Sequence, residues 1–373
     1  MIKTILSSSR KNSDTRNQIQ YLCQEARFIE RGAFNLTNFC DMIKEKLKRQ
    51  TELITGKELY LEEEKTLRGL VISTQSGFYT VETEEEGPIV CRLRGRLKQG
   101  PKTGDIIALG DWVHITLLDE EEGTGMIEEI EERENMFARM APTARGEYQQ
   151  ILIANADQTV VVFACTHPDP RLRMLDRFLI VAEQADIPPF IVFNKVDLIG
   201  IKTAKKLFGH FQEIGYPVLY TSAITGEGVD KLREQLTGKV SMLAGPSGTG
   251  KSSLLNAIQP DLGLRVREVS EATKKGRHTT VYRQMFPLEG GGYVADTPGL
   301  KSFGLWDIHP EEVDGYFPEI SALVADCRFS NCKHMKEPGC AVKEAVQEGS
   351  IHPERYESYL RMRWGEEEKI EWL

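Results

Sequence analysis

Residues 245–253 read Gly245-Pro246-Ser247-Gly248-Thr249-Gly250-Lys251-Ser252-Ser253, and they lie between a short apolar run and a helical pattern. The apolar run at 240–244 predicts a strand, and residues 254–258 predict the helix that follows. Strand, G-x-x-x-x-G-K-S and helix in this order form the context of a phosphate-binding P-loop. The glycines let successive backbone N–H groups turn toward phosphate oxygens, and the helix adds the positive end of its dipole.

Two side chains of this loop have the chemistry that a nucleotide requires. Lys251 is expected to reach the outer phosphates, and the Ser252 hydroxyl is expected to ligate Mg²⁺. A turn rich in Gly and Ser between a strand and a helix could bind nothing, but the complete motif in this context argues against that. We therefore predict that residues 245–253 bind phosphate.

A second motif, Asn194-Lys195-Val196-Asp197, follows an apolar run at 189–193. The Asp197 carboxylate can accept two hydrogen bonds from guanine, which adenine cannot offer, while Asn194 is expected to read the O6/N7 edge. The stem of Lys195 is expected to stack on the base. N-K-x-D is a common tetrapeptide, but at the carboxyl end of a strand, where ligands bind in such sheets, it indicates guanine recognition. After the next strand, a backbone N–H at Ser222 or Ala223 is expected to reach the same O6.

Two further motifs follow the P-loop. The first, Gly276-Arg277-His278-Thr279-Thr280, offers a hydroxyl and a carbonyl to Mg²⁺, with Thr279 and Thr280 both candidates. The second, Asp296-Thr297-Pro298-Gly299, places Asp296 near Mg²⁺ and the Gly299 N–H near the γ-phosphate. Leu300 stands where Ras-like enzymes carry a Gln that orients water, so His278 is our candidate for that task. A packing or RNA-contact role for His278 is equally open.

The order of these motifs is permuted, because the base-reading motifs precede the phosphate-binding motifs. Alternating strand and helix patterns from residue 159 onward predict a parallel, doubly wound sheet. Such a sheet tolerates permutation, since the site is assembled in space and the termini of compact domains often lie close together. The sequence therefore predicts a circularly permuted GTP-binding domain of the α/β class over residues 158–310.

Residues 65–136 have a different pattern, with about five short β-rich runs separated by turns, which favours an OB-fold barrel. A run of basic residues is expected to alternate along one strand and to face one side of the barrel. This basic run, extended by its last member, is Arg92, Arg94, Arg96, Lys98 and Lys102. It is a candidate RNA-phosphate contact, with a solvated strand face as the alternative. Residues 137–157 are expected to form a linker, and residues 1–64 a helical extension.

A cluster of metal-binding residue types lies near the C-terminus, in the predicted domain 311–373. It consists of Cys327, Cys332, His334 and Cys340. Three thiolates and one imidazole form a closed tetrahedral set for structural zinc, with no open position for catalysis. Aromatic and basic residues follow at 355–364, and they suit either RNA contact or packing against the nucleotide domain.

Composition narrows the class of protein. A hydrophobic content of 40% and a charged content of 28% describe a globular chain, and the net charge of −9 excludes a general attraction to nucleic acid. No stretch approaches the roughly 20 apolar residues of a membrane span, and no secretory leader is expected. The remaining cysteines lie in apolar contexts, and a reducing cytoplasm is expected. They are Cys23, Cys40, Cys91 and Cys165.

On these motifs, roughly residues 65–365 resemble the ribosome small-subunit-dependent GTPases, the RsgA or YjeQ-like family. The resemblance implies a monomeric Mg²⁺-dependent GTPase that binds the small ribosomal subunit and its rRNA late in maturation. It also implies that the subunit stimulates hydrolysis of GTP to GDP, and that hydrolysis helps to release the protein. Two alternatives stay open. One is an RNA-binding assembly factor whose GTP site only gates binding, and the other is a P-loop kinase or ATPase, which the motif at 194–197 opposes.

Overall fold

The computed structural model describes residues 66–98, 104–119, 123–143, 146–264, 283–296 and 308–364. The chain divides into two units, Met1–Lys65 and Thr66–Leu373, and every described residue belongs to the second. The expected helical extension at 1–64 therefore lies outside the described residues. Within the described part of the chain, no helix combines the length and the apolar character that crossing a membrane requires.

The first five strands form the barrel that the sequence predicts. They are β1 (Thr66–Gln75), β2 (Phe78–Thr83), β3 (Gly87–Leu93), β4 (Trp112–Asp119) and β5 (Thr124–Ile130). Neighbours pair in the order β1-β2-β3-β5-β4, and β1 also pairs with β4, which closes the barrel. Alternation in β3 turns Ile89, Cys91 and Leu93 inward, because side chains two residues apart share a face. The OB-fold prediction is confirmed.

The expected linker at 137–157 needs correction, because most of it is a β-hairpin. Strand β6 (Met136–Thr143) pairs antiparallel with β7 (Gly146–Ala154). Phe137 and Ile153 are fully buried in the core that the hairpin shares with the following domain. Strand β7 also carries polar residues, and Gln149 and Gln150 are only half-buried. These polar residues gave the segment the composition of a linker, although it is a strand with one packed face.

The doubly wound sheet begins at β8, and all of its predicted strands are confirmed. Its strands are β8 (Gln158–Ala164), β9 (Pro189–Asn194), β10 (Val218–Tyr220), β11 (Val240–Ala244), β12 (Arg283–Pro287) and β13 (Tyr293–Asp296). They lie in the order β10-β9-β8-β11-β13-β12, and only β12 runs antiparallel to its neighbour in this part. The sequence pattern missed β12.

Helices cover both faces of this sheet. They are α1 (Leu172–Gln184), α2 (Ile201–Phe208), α3 (His210–Glu213), α4 (Val229–Leu236) and α5 (Lys251–Ile258). One core joins Leu175 and Phe178 of α1 to one face, and a second core joins Leu232 of α4 and Leu254 of α5 to the other. Two apolar layers on one sheet are what near-continuous apolar strands such as β8 and β9 require.

A short seam joins the barrel to the nucleotide sheet. Strand β1 pairs antiparallel with β12 through Ser73 opposite Gln284 and Thr74 opposite Arg283. Because of this pairing, the barrel strands and β8–β13 form one continuous sheet of 11 strands.

The C-terminal region is helical and packs on the nucleotide domain. It contains α6 (Pro318–Ser321), α7 (Ala341–Glu348) and α8 (Pro353–Trp364). Its core takes in Ile180 of α1 together with Phe317 and Tyr359. Short 3-10 turns complete the described structure at Gly95–Lys98, Val196–Leu198, Pro260–Leu262, Val313–Tyr316 and Val324–Asp326.

Candidate functional site

The carboxyl ends of four parallel strands meet at one edge of the nucleotide sheet. Asn194 ends β9 opposite Ala164 of β8, and Asp296 ends β13 opposite Leu243 of β11. The P-loop begins directly after β11. Ligands bind at such an edge in open α/β sheets, so the structure brings the base-reading and phosphate-binding motifs together.

The P-loop has the backbone shape that its glycines predict. Gly245, Gly248 and Gly250 have φ of 133°, 84° and 93°. A Cβ at Gly245 would lie 2.2 Å from the carbonyl oxygen of Val162, and one at Gly250 would lie 2.4 Å from Asn194 Nδ2. Only glycine fits these two positions, because both the backbone angle and the space exclude a side chain.

The side chains of the loop face different surroundings. Thr249 is buried, and its hydroxyl donates to the carbonyl of Pro246 at 3.1 Å. Lys251 Nζ donates to the carbonyl oxygens of Gly245 and Pro246, each at 2.9 Å. Ser247 is exposed, while Ser252 and Ser253 are half-buried in the first turn of α5.

Asn194 links the P-loop to the loop after β10. Its Nδ2 donates to the carbonyl of Thr249 at 2.9 Å. Its Oδ1 accepts hydrogen bonds from the Thr221 hydroxyl and the Ala223 N–H, both at 3.3 Å. We expected Asn194 to read the base edge and Ala223 to donate to it. The structure gives both groups partners within the protein.

The other members of this motif differ in burial and in their partners. Lys195 has a left-handed backbone, with φ of 64°, and its ammonium donates to Gly248 O at 2.8 Å and to His167 O. Burial lowers the pKa of Lys195. Val196 is buried beneath the loop, and the Asp197 side chain is exposed at the edge.

The backbone at Ser222 is likewise committed, because its N–H donates to Glu227 O at 2.9 Å. The Ser222 hydroxyl accepts from the Thr225 N–H at 3.2 Å, which folds the loop beside the base-reading motif. Five predicted site residues lie outside the described part of the chain, namely His278, Thr279, Thr280, Gly299 and Lys102. Asp296 is described only by its backbone.

The Cys/His cluster is assembled as predicted. Ligand atoms of Cys327, Cys332, His334 and Cys340 all lie within 4.8 Å of one another. Cys327 Sγ and Cys340 Sγ are 3.9 Å apart, and each lies 3.5 Å from His334 Nδ1. Metal bonds of about 2.3 Å to sulfur and about 2.0 Å to nitrogen give tetrahedral edges of about 3.8 Å and about 3.5 Å. The residues therefore fit a zinc ion bound through Nδ1.

The opposite nitrogen of His334 points to a carboxylate that sequence reasoning missed. The ring is 0% exposed, and Nε2 lies 3.6 Å from Asp314 Oδ2. Arg363 of α8 donates to the same Asp314 oxygen at 3.1 Å. A carboxylate facing the second ring nitrogen is the usual outer partner of a metal-binding histidine, because it fixes the tautomer.

A second missed acid shapes the loop between the metal ligands. The Glu337 carboxylate accepts backbone N–H groups from Lys333, Met335 and Lys336 at 3.1, 2.9 and 3.0 Å. Burial would raise the pKa of Glu337, but these backbone donors lower it to about 2. The Glu-Pro-Gly sequence before Cys340 was the available signal, since it marks a turn.

A buried arginine attaches the C-terminal region to the nucleotide domain. Arg355 of α8 is 1% exposed, and it donates to Glu319 at 2.6 and 3.0 Å and to Asp176 of α1 at 2.7 Å. Tyr356 and Tyr359 donate to the backbone of the metal-ligand loop at His334 and Lys333. Of the two roles left open for 355–364, these described residues support packing.

The basic run on the barrel does not follow one strand, which corrects the prediction. Strand β3 ends at Leu93, and the chain then turns through the 3-10 segment Gly95–Lys98. Arg94 and Arg96 both pair with the Glu128 carboxylate, and Arg92 lies 4.7 Å above the ring of Phe78. The positive charges are exposed, but one acid lies among them.

The described cysteines outside the cluster lie in the core, as their apolar sequence contexts indicate. Cys91 and Cys165 are buried, and burial raises the pKa of each thiol to about 12. Cys23 and Cys40 lie outside the described residues.

Comparison with known proteins agrees with this geometry. The chain matches the model of the RsgA N-terminal domain over residues 68–127 and that of the RsgA GTPase over residues 130–306. It is 46% identical over 296 residues to the small ribosomal subunit biogenesis GTPase RsgA of Gemmatimonas aurantiaca, covering 79% of this chain and 96% of the relative. The protein of the same name from Bacteroides fragilis is 42% identical over 306 residues, covering 81% and 98%.

Two solved structures are similar over the same extent. YjeQ from Thermotoga maritima has a TM-score of 0.65 and 38% identity, covering 80% of this chain and 98% of the other. YloQ, a circularly permuted GTPase, has a TM-score of 0.63 and 32% identity, covering 82% and 96%. With its closed barrel, permuted sheet and P-loop edge, the chain belongs to the RsgA family of circularly permuted GTPases.

Proposed function

We propose that this GTPase binds the small ribosomal subunit and assists its late maturation. In this proposal the subunit stimulates hydrolysis, and hydrolysis helps to release the protein. The main support is that the P-loop and the motif at 194–197 lie at one edge of the permuted sheet. The chain also covers 96% of a relative that is named for small-subunit biogenesis.

The chain's own residues divide the work on GTP. Asp197 accepts the guanine hydrogen bonds, and the N–H groups of 245–253 bind the phosphates. Lys251 exchanges its contacts with Gly245 O and Pro246 O for phosphate oxygens. Ser252 supplies a hydroxyl ligand for Mg²⁺, which neutralises phosphate charge when it is bound.

Residues outside the described part of the chain complete this proposal. Thr279 or Thr280 adds a Mg²⁺ ligand, and the Gly299 N–H faces the γ-phosphate. Asp296 is placed beside the P-loop strand by its register with Leu243. His278 positions the attacking water, because the chain carries Leu300 where a Gln would do so.

The other two regions are proposed to hold zinc and rRNA. Cys327, Cys332, His334 and Cys340 bind one structural zinc, which the tetrahedral distances support. Exposed basic residues of the barrel contact rRNA phosphates, and they are Arg92, Arg94, Arg96 and Lys98, together with Lys102. Glu128, which pairs with Arg94, lies among them. The protein works as a monomer in the cytoplasm, where ribosomal subunits mature.

A turnover assay tests the proposal directly. GTP hydrolysis is measured alone, with purified small subunits and with purified large subunits, using Lys251→Ala as the inactive control. We expect stimulation by small subunits only. Equal turnover under all three conditions would sink the proposal, and tight GTP-dependent binding without stimulation would favour an assembly factor that only uses GTP as a gate.

A further inference from the structure

Three parts of the molecule meet at the backbone of one residue, Ile151 of the hairpin. Its N–H donates to Asp105 Oδ2 at 3.0 Å, and its carbonyl accepts from Arg283 Nη1 at 2.7 Å. Asp105 belongs to the segment between barrel strands β3 and β4, and Arg283 is the first residue of β12. We call Asp105, Ile151 and Arg283 the Ile151 junction.

The junction is more than a single hydrogen bond. Arg283 Nη1 lies 3.6 Å from Asp105 Oδ2, and the two side chains are only 17% and 24% exposed. Asp105 also accepts from the Tyr148 hydroxyl at 2.7 Å, and its own N–H donates to Gln149 O at 3.1 Å. Both carboxylate oxygens and the guanidinium therefore hold the same strand, β7.

Arg283 also occupies one of the two pairs at the seam between the barrel and the nucleotide sheet, opposite Thr74. From there, β12 pairs with β13, and β13 pairs with the P-loop strand β11. Asp296 at the end of β13 lies opposite Leu243 of β11. A displacement of the hairpin or the barrel can therefore reach the phosphate-binding edge through paired strands, without crossing a loop.

Charge makes the junction sensitive to such a displacement. Burial lowers the pKa of Arg283, while Asp105 opposes that effect and Arg139 adds to it. Moving β7 away would take the Ile151 carbonyl from the partly buried guanidinium and leave both groups without that hydrogen bond. A half-buried charge that loses its partner destabilises the arrangement, so the junction favours defined positions over intermediate ones.

We propose that Arg283 is a positioning residue that transmits binding at the barrel and hairpin to the GTP site. This inference rests on the proposed function and deepens it, because it identifies how contact with the small subunit changes turnover. It predicts thermodynamic linkage in both directions: GTP at the P-loop must strengthen subunit binding as much as the subunit strengthens GTP binding.

The test uses the full chain with Arg283→Met, which keeps the length of the stem and removes every donor. The ratio of subunit affinities with a non-hydrolysable GTP analogue and with GDP measures the linkage. We expect this ratio to fall by at least about fivefold, the lower end of ordinary allosteric coupling. Subunit-stimulated turnover should fall with it, while GDP affinity and basal turnover stay within about twofold, below the usual range of allosteric coupling.

Two variants separate positioning from general damage. Arg283→Lys keeps a cation that can donate to Ile151 O, and it should restore most of the affinity ratio. Arg139→Met removes a cation of the hairpin and breaks a bond inside the hairpin, to Gln150 Oε1 at 2.7 Å, and should leave the ratio unchanged.

The outcomes distinguish the inference from the function beneath it. If wild-type protein is stimulated and Arg283→Met keeps the full affinity ratio, the inference is wrong and the proposed function stands. If Arg283→Met loses GDP affinity and basal turnover in equal measure, Arg283 is structural and the inference is also wrong. If wild-type protein shows no stimulation, both fail.

Discussion

The nucleotide edge and the Cys/His cluster are both built from short motifs, but the fold holds them in different ways. Asn194 and Thr249 are distant in sequence, and their 2.9 Å hydrogen bond exists because β9 and β11 flank β8. The four ligands of the cluster come from one short segment, 327–340. The nucleotide site therefore depends on the assembly of the whole sheet, whereas the Cys/His cluster depends on one loop that packs against α8.

This difference predicts that the two sites fail independently. The nucleotide domain has its own cores on both faces of the sheet, and neither includes a cluster ligand. The cluster shares its core with Ile180 of α1, and Arg355 adds a buried charged attachment. Loss of metal should therefore disturb the attachment and the loop before it disturbs nucleotide binding.

The largest effect is expected from Cys332→Ser, because an alcohol is a far poorer zinc ligand than a thiolate. Structural zinc contributes on the order of 10 kcal/mol to folding its own small module. We expect loss of zinc, measured by metal analysis of the purified variant, and local unfolding around 320–345, measured by hydrogen exchange. GDP affinity should stay near normal, and stimulation by the subunit should disappear.

Cys91→Ser is the matched control, since that thiol is buried in the barrel away from the cluster. It should keep its zinc. A Cys332→Ser protein that loses GDP affinity along with its metal would show that the two sites are not independent.

Arg355→Met should have the next largest effect, because it leaves Asp176 and Glu319 as buried carboxylates without their cation. Breaking a buried ion pair from one side costs about 3–5 kcal/mol. Urea unfolding should show that loss, with zinc still bound. Arg361→Met, which breaks the partly exposed pair with Glu357 inside α8, should cost far less than Arg355→Met. Equal losses in the two variants would contradict the attachment through Arg355.

Asp197→Asn tests the nucleotide side of the comparison. One oxygen that accepts from guanine becomes a donor, and hydrogen bonds to charged groups contribute about 1.5–3 kcal/mol each. GDP affinity should fall at least about tenfold, with zinc content unchanged. Titration with xanthosine diphosphate, which carries an oxygen in place of the amine, should show the opposite change. Asp230→Asn, an exposed acid outside the edge, should alter neither affinity.

Asp314→Asn should have the smallest effect, and it tests whether Asp314 supports His334 as a zinc ligand. Outer-shell partners of a metal-binding histidine typically contribute about 10–100-fold in metal affinity. Competition with a chelator should reveal that loss, while GDP affinity stays constant. Asp326→Asn is the control, because Asp326 is an exposed acid close to Cys327 in sequence. A loss no larger than that of the control would remove Asp314 from the metal site.

The parts that sequence could predict are those with local causes. Apolar runs identified β8, β9 and β11, and the glycines of 245–253 specified a backbone shape that any P-loop requires. The spacing of the cluster ligands was enough to predict their assembly. In each case the residues that matter are neighbours in sequence, or their position is fixed by the end of a strand.

The parts that sequence missed depend on distant partners or on a broken pattern. Alternation suggested that Arg94 and Arg96 continue a strand, but β3 ends at Leu93 and Gly95–Lys98 form a 3-10 turn. No local feature of Arg355 indicates that Asp176 lies 2.7 Å away, because their contact depends on how α8 packs on α1. The same holds for Asp314 and His334, which meet only through the folded core of the C-terminal region.

The seam between β1 and β12 also has a consequence for how the chain is made. A ribosome releases the barrel strands first, so β1 emerges long before its neighbour Gln284 has been synthesised. Strand β12 is held on its other side by β13, the last of the described strands of the sheet to be translated. The edge of β1 at Ser73 and Thr74 therefore stays open throughout most of synthesis, and its closure marks a nascent chain whose nucleotide sheet is complete.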